Sequence, residues 1–265
     1  MKKNIFITGA SSGIGKSIAE YLTSKGHTVI GTSRKKNLPS NTFQLISLDV
    51  SDQNSIDLAF KYVTEKLSTI DVLINCAGYG IFGALEDTSI EEAKAQFETN
   101  YFGTVRVTNC FLPHFRENKK GLIINIGSMA GLIGMPFQGH YSASKFALEG
   151  YVEALRMELR PFNISACNID PGDFQTDFTS NRKQSKLISP KYKDQFNRLL
   201  KTYAKDENNG ADPISISILV SRLIRKDSVS IRYVVGKRSQ TIGIFIKRLI
   251  GSNIFEKIML KIWNV

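Results

Sequence analysis

The first 26 residues constrain the fold of this chain more than any other segment. Asn4–Thr8 is a short apolar run, typical of a buried strand. The stretch TGASSGIG, which begins at Thr8, contains three glycines. Gly13–Lys25 then repeats apolar residues at helical spacing, and Gly26 favours the end of that helix. A strand that turns sharply into a helix predicts the opening unit of a parallel α/β sheet.

Strand and helix signals alternate along the rest of the chain. Further strands are predicted at His27–Thr32, Gln44–Leu48, Asp71–Asn75, Leu122–Gly127, Ile164–Ile169 and Ile231–Val235, and helices at Asn54–Leu67, 91–115, Tyr141–Leu159 and Pro213–Leu223. The strands are apolar throughout, as expected when helices cover both faces of a sheet. The predicted fold class is α/β, a Rossmann-like doubly wound parallel sheet, with ligands at the carboxyl ends of its strands.

The length of 265 residues favours one domain rather than two. We place that domain at residues 1–240 and a C-terminal amphipathic, basic helical tail at 241–265. Phe174–Lys205 is rich in Lys, Ser, Asn and Gln, which predicts a mobile substrate flap at about 174–205. The apolar run after Lys2 and Lys3 is too short for a secretory signal peptide, so a cytoplasmic protein is predicted.

The glycine turn predicts a dinucleotide-binding site. Glycine lets the backbone turn sharply and lets a pyrophosphate approach closely. The following helix presents free N–H groups and the positive end of its dipole to that anion. The turn residues predicted to contact the cofactor are Gly9, Ser11, Ser12, Gly13, Ile14 and Gly15.

The end of the second predicted strand indicates which cofactor is bound. An NAD site usually places an acidic residue there for the ribose 2′-hydroxyl. The stretch from Thr32 to Lys36 reads TSRKK and holds no acid. Arg34, beside Ser33, could bind a 2′-phosphate bidentately, and Lys35 could add charge, so NADP(H) is predicted rather than NAD. The alternative is that these are solvated surface cations. Asp49 comes later in the chain and is predicted to meet the adenine.

Tyr141 and Lys145 form the candidate catalytic pair. At positions i and i+4 of one helix they share a face. A free tyrosine has a pKa of about 10, and a neighbouring ammonium is expected to lower it. Tyr141 could then donate or accept a proton, while the Ser128 hydroxyl holds a substrate carbonyl oxygen. Hydride transfer would belong to the nicotinamide.

These motifs together resemble the short-chain dehydrogenase/reductase family over nearly the whole chain. The turn fits its TGxxxGxG pattern, and residues 75–78, Asn-Cys-Ala-Gly, resemble its NNAG strand end with Cys76 as the departure. The resemblance implies that Asn100 holds a water of a proton relay and that Lys145 also bonds the nicotinamide ribose. It further implies cofactor contacts at Val50, Asn75, Ala77, Gly78, Tyr141, Pro171, Gly172 and Thr176. It also implies a homo-oligomer.

The stretch from Ile126 to Thr176 is similar to the hydroxysteroid and retinol dehydrogenase branch of this family. That similarity implies a lipophilic substrate, steroid-like or a long-chain keto lipid. The predicted function is an NADP(H)-dependent oxidoreductase that interconverts a carbonyl and a secondary alcohol. The alternative is a non-enzymatic, redox-sensing regulator that binds NADP(H), which the complete catalytic set disfavours. The cysteines and histidines show no metal-ligand spacing, so no metal site is predicted.

The tail carries much of the net charge of +11. From Arg225 onward there are nine basic and two acidic residues. Within Ile242–Trp263 apolar residues recur at helical spacing between the cations, which fits an amphipathic helix pair lying on anionic lipid. The alternative is that the apolar face caps the substrate pocket or packs against a second subunit. With few aromatic residues and no recognised module, the tail is not predicted to bind nucleic acid.

Overall fold

A computed structural model describes residues 1–35 and 40–263 of the chain. Seven parallel strands form the central sheet. In their order across the sheet they are β3 (Gln44–Ser47), β2 (Thr28–Ser33), β1 (Asn4–Thr8), β4 (Val72–Asn75), β6 (Gly121–Ile126), β7 (Ile164–Pro171) and β9 (Arg232–Val235). In a second, two-stranded sheet β5 (Ile81–Phe82) pairs with β8 (Lys183–Gln184).

Helices connect the strands and cover both faces of the sheet. They are α1 (Gly13–Ser24), α2 (Gln53–Lys66), α3 (Ile90–Phe97), α4 (Gly103–Glu117), α5 (Gly139–Leu159), α6 (Phe178–Asn181), α7 (Lys193–Asn208), α8 (Ile214–Leu223), α9 (Arg238–Ile250) and α10 (Ser252–Trp263). From β1 the chain builds first toward β3 and then, starting with β4, in the opposite direction. This reversal opens a crevice at the carboxyl ends of β1 and β4, where such sheets bind ligands. The predicted doubly wound parallel fold is confirmed.

The core around the central sheet lies in two layers, one on each face of the sheet. Ile5 and Ile7 of β1 pack in the layer that also contains Ile18 of α1 and Ile216 of α8. Phe6, between them, packs on the opposite face in the other layer. Side chains on both faces of one strand are therefore buried, which is why the strands are apolar at every position.

Two segments differ from the predicted secondary structure. The helix expected over 91–115 is interrupted, since a π-helical turn at Glu98–Phe102 separates α3 from α4. The predicted flap contains α6, β8 and most of α7, and three apolar side chains of α7 (Phe196, Leu199 and Tyr203) are buried. Its polar composition reflects the exposed face of a packed helix.

Over residues 1–35 and 40–263, no helix is both long and apolar enough to cross a membrane.

Candidate active site

A cavity of about 970 Å³ lies at the carboxyl ends of the strands. It extends from the glycine turn between β1 and α1 to the two tail helices, α9 and α10. The predicted site residues that line it are Gly9, Ser11, Ser12, Gly13, Ile14, Gly15, Ser33, Arg34, Val50, Ala77, Gly78, Ser128, Tyr141, Lys145, Pro171, Gly172 and Thr176. Residues distant in sequence therefore meet at one chamber.

The glycine turn has a backbone that larger residues cannot adopt. Gly9 has φ +68°, and a Cβ on Gly15 would lie 2.3 Å from the Gly9 carbonyl oxygen. The Ser12 side chain forms no cap to the start of α1, so the first N–H groups of this helix remain available to an anion. The turn fits the pyrophosphate of a dinucleotide.

The end of β2 brings cations to the same cavity. Arg34 and Lys35 are exposed and line it, and the Ser33 hydroxyl accepts a hydrogen bond from the Lys35 N–H. Lys36 lies outside the described residues. This corner fits a phosphate on the ribose.

Asp49 is not among the described residues that line the cavity. Its carboxylate accepts hydrogen bonds from the backbone and hydroxyl of Ser51. Burial alone would raise the pKa of Asp49, but these bonds and the nearby Arg34 hold it below its ordinary value. The ionised carboxylate therefore stands beside the predicted phosphate-binding cation, and the neighbouring Val50 forms the wall.

Tyr141, Ser128 and Lys145 meet where α5 crosses the end of β6. The Ser128 side chain lies near enough to the Tyr141 phenol to lower the pKa of that phenol. The Lys145 Nζ donates to the Ile126 carbonyl at 2.8 Å and lies 5.9 Å from the centroid of the Tyr141 ring. A strand end and a single helical turn thus fix all three functional groups.

Burial sets the pKa values of this pair and corrects the sequence argument. It raises the pKa of Tyr141 to about 12, an effect only partly offset by the nearby Ser128 hydroxyl. It also lowers the pKa of Lys145 to about 8. The expectation that Lys145 lowers the pKa of Tyr141 below that of a free tyrosine is wrong for this structure, because desolvation penalises both charged forms. Tyr141 is therefore a fully protonated donor at neutral pH.

Asn100 lies in the π-helical turn that packs against α5. Its side-chain amide donates to the Tyr79 carbonyl at 3.0 Å and to the Ser144 Oγ at 3.1 Å, and its Oδ1 accepts from the Tyr79 N–H. Ser144 in turn donates to the Tyr141 carbonyl oxygen at 2.7 Å. The Asn100 side chain thus joins the π-helical turn at Glu98–Phe102, the wide turn, to α5.

Asn75 stands behind the wall of the chamber. Its side chain is buried and donates to Thr108 and to Asn125, and among the described residues it is not part of the lining. Its neighbour Cys76 does line the cavity, and burial raises the pKa of the Cys76 thiol to about 11. The structure thus gives Asn75 a place that ties β4 to β6, while Cys76 is uncharged.

A buried carboxyl pair lies next to the loop at Pro171 and Gly172. Asp170, at the end of β7, is fully buried, with its Oδ2 3.5 Å from the Arg232 Nε. Glu149 of α5 pairs with the same arginine. Burial and the neighbouring Glu149 raise the pKa of Asp170. Both carboxyls face Arg232 of β9, so this cluster links α5 to the loop through β9.

The tail closes the other end of the chamber. Gly243 and Ile244 of α9 and Phe255, Met259 and Trp263 of α10 line it. Gln240, near the start of α9, binds the loop after β7, where its amide donates to the Asp173 carboxylate. The inner face of the tail therefore caps the chamber, which is the alternative to lipid contact that the sequence left open.

Comparison with known proteins identifies the family. Residues 3–187 match the model of the family described as short chain dehydrogenase. The chain belongs to the short-chain dehydrogenase family. It is therefore a carbonyl–alcohol oxidoreductase that acts on small molecules, as the resemblance implied.

Relatives of this short-chain dehydrogenase match along most of its length. It is 41% identical over 254 residues to a 3-ketodihydrosphingosine reductase of Bacteroides thetaiotaomicron, covering 95% of this chain and 94% of the relative. A short-chain dehydrogenase from Streptomyces avermitilis has a similar structure, with TM-score 0.83, 28% identity and coverage of 99% and 97%. An alcohol dehydrogenase from Thermococcus sibiricus in complex with 5-hydroxy-NADP has TM-score 0.71, 25% identity and coverage of 90% and 97%.

Several lining residues of this short-chain dehydrogenase were missed from sequence. They include Tyr79, Met129, Gln138, Phe178, Tyr203, Asp206 and Glu207. Tyr203 could have been found, since Phe196, Leu199 and Tyr203 recur at helical spacing within an otherwise polar segment. The others come from loops and helix ends whose meeting depends on tertiary packing.

Proposed function

We propose that this chain uses NADP(H) to interconvert a carbonyl group and a secondary alcohol on a lipophilic substrate. The observation that carries the proposal is the shared chamber. Tyr141, Ser128 and Lys145 face a cavity with the glycine turn at one end and apolar tail side chains at the other. A nucleotide and an apolar substrate could then meet at the phenol.

The catalytic residues would act in reduction as follows. The Ser128 hydroxyl and the Tyr141 phenol donate hydrogen bonds to the substrate carbonyl oxygen, and Tyr141 passes its proton to that oxygen. Bound NADPH would supply the hydride. The Lys145 ammonium, held by the Ile126 carbonyl, stabilises the phenolate that remains. A pKa of about 12 keeps Tyr141 protonated until the substrate oxygen gains negative charge.

The choice of NADP(H) over NAD rests on the end of β2. Arg34 and Lys35 line the cavity, and the stretch TSRKK has no acid to bond a ribose hydroxyl. The planar guanidinium of Arg34 suits a 2′-phosphate. We assign the pyrophosphate to the glycine turn and the nicotinamide to the loop that contains Pro171, Gly172 and Thr176.

A lipophilic substrate is supported by the tail end of the chamber. Phe255, Met259 and Trp263 provide apolar contact area, and the Trp263 ring lies 6.3 Å from that of Tyr203. The relative from Bacteroides thetaiotaomicron is a reductase of a ketodihydrosphingosine. We therefore propose a long-chain keto lipid as the substrate class.

Four further assignments are part of this proposal. The catalytic domain spans residues 1–240 and the tail 241–265; the protein is cytoplasmic, is a homo-oligomer, and contacts a membrane surface through its tail.

The function is tested by NADPH oxidation with long-chain keto lipids, ketosteroids and small aldehydes, with NADH in parallel. Tyr141→Phe should lower kcat by about a thousandfold, because it removes the proton donor and keeps the ring. NADPH binding, followed by fluorescence, should persist. Tyr62→Phe, on the outer helix α2, is the matched control and should keep full activity. Wild-type turnover by the Tyr141 variant would refute the mechanism, and no turnover of any carbonyl would refute the function.

A further inference from the structure

The tail helices have an outer surface as well as the inner face that lines the chamber. On α9 the side chains of Ile242, Phe245, Ile246 and Leu249 are between 38% and 69% exposed. Their spacing of three, four and seven residues places them on one face of the helix. Ile244, on the other side of α9, is buried against the chamber.

The last helix repeats this division. On α10 Ile254, Ile258 and Ile262 recur every fourth residue and are 40% to 64% exposed. The adjacent series Phe255, Met259 and Trp263 lines the chamber. We call the two exposed rows, on α9 and α10, the outer stripes. Single exposed apolar side chains are ordinary on protein surfaces, but seven in two consecutive helices indicate a contact surface.

The charges around the outer stripes favour one occupant. Arg238, Arg248, Lys257 and Lys261 are exposed beside them, whereas Glu256 is the one acid in α9 and α10. A second copy of this surface would bring two equally basic faces together. An anionic lipid surface offers apolar depth for the stripes and negative headgroups for the cations.

Ile262 connects this surface to the chamber. Its side chain is 64% exposed and also lines the cavity, so it lies at the rim of the opening. The hydrocarbon chain of a lipid that leaves a bilayer at this rim would meet Met259 and Trp263 next. Along such a path the hydrocarbon of the lipid does not pass through water.

We propose that the outer stripes dock on an anionic bilayer and that the chamber takes its lipid substrate directly from that bilayer. This inference rests on the proposed function and specifies where its substrate comes from. Because α9 and α10 line the chamber with one face and expose apolar side chains on another, docking places the opening at the lipid surface.

The binding test uses the full chain and vesicles of phosphatidylcholine with or without phosphatidylglycerol. Wild-type protein should co-sediment with the anionic vesicles and dissociate at high salt. The double variant Phe245→Ser/Leu249→Ser, neither residue of which lines the chamber, should bind at least about tenfold more weakly. The control Leu58→Ser/Met157→Ser changes equally exposed side chains on α2 and α5 and should bind as the wild type does.

The delivery test compares a water-soluble ketone with a long-chain ketone held in the anionic vesicles. The stripe variant should reduce the soluble ketone at the wild-type rate and the vesicle-held ketone about tenfold more slowly. Docking would be overturned if wild type and stripe variant sedimented equally, or if the wild type did not bind the vesicles. It would also be overturned if the stripe variant had a changed oligomeric state. A non-binding variant with undiminished rate on vesicle-held ketone would overturn delivery from the bilayer. Vesicle binding without turnover of the soluble ketone would instead sink the proposed function.

Discussion

The two ends of the chamber are built in different ways. At the end proposed for the nucleotide (the nucleotide end), much of the wall is backbone of the glycine turn, and Gly9 and Gly15 pack against the backbone of this turn and of residues 76–77. At the end proposed for the substrate (the substrate end), side chains from α7, α9, α10 and several loops form the wall. The wall at the nucleotide end tolerates almost no added atom beside its backbone. The wall at the substrate end can change its shape by exchanging single side chains, so a family can keep one cofactor site and vary its substrates.

The difference predicts its largest effect at Gly15. In Gly15→Ala the new Cβ would overlap the Gly9 carbonyl oxygen, so the turn must open. We expect NADPH affinity, measured by fluorescence titration, to fall by about a hundredfold or more, or the protein not to fold. Gly150→Ala is the matched control, because apart from its chain neighbours and the backbone of its own helix no described atom lies within 4 Å of the new Cβ. Normal NADPH binding by Gly15→Ala would remove the claim that backbone contact shapes this end.

Trp263→Ala tests the substrate end. Loss of the indole removes apolar surface from the chamber and the ring contact with Tyr203. We expect kcat/KM for a long-chain ketone to fall about thirtyfold, while the KM for NADPH stays constant. Leu260→Ala, which removes an exposed side chain of the same helix, should leave both values unchanged. If the KM for NADPH also rose about thirtyfold, the two ends would not be independent.

Arg34→Ala sharpens the comparison at the edge of the nucleotide end, where a side chain acts instead of the backbone. We expect KM for NADPH to rise about tenfold and KM for NADH to stay constant, because one charge-assisted contact to the 2′-phosphate is lost. Lys35→Ala should have a smaller effect, since a lysine binds phosphate as a point charge. Equal changes for NADPH and NADH would show that Arg34 does not read the phosphate.

Lys145 lies where the two ends meet, and its titration gives the mildest test. Its pKa is lowered to about 8, so it is charged below that pH and neutral above it, while Tyr141 stays protonated throughout. The value of kcat/KM for NADPH reports groups of the free enzyme. It should be level below pH 8 and fall about tenfold per pH unit well above it. A level profile to pH 10, with the protein still folded by circular dichroism, would contradict this assignment.

The strand, sharp turn and helix at the start of the chain could be predicted because their constraints are local. Three glycines, a strand and a helix follow one another within 26 residues, so their spacing alone indicates the geometry. The same holds for Tyr141 and Lys145, which are one helical turn apart. The confirmed sheet follows from strand signals of the same local kind.

Properties that depend on distant neighbours were not predictable in this way. The pKa of Tyr141 rises because residues from several segments exclude water around it, which the four-residue spacing does not reveal. Helix α7 was missed because its exposed polar face dominates its composition. Asn75 was grouped with the cofactor residues by its motif, whereas its hydrogen-bond partners come from α4 and β6.

The wide turn at Glu98–Phe102 has a consequence for chain length. A π-helical turn accommodates one residue more than an α-helical turn does, and Asn100 lies in the middle of it. Deleting one residue there would let the helix run on as a regular α-helix with α4 in nearly its present orientation, but it would remove the bulge that positions Asn100. The anchoring amide would then leave both Tyr79 and Ser144. Relatives that keep this anchor should therefore show neither insertions nor deletions between positions 98 and 102, however freely their outer loops differ in length.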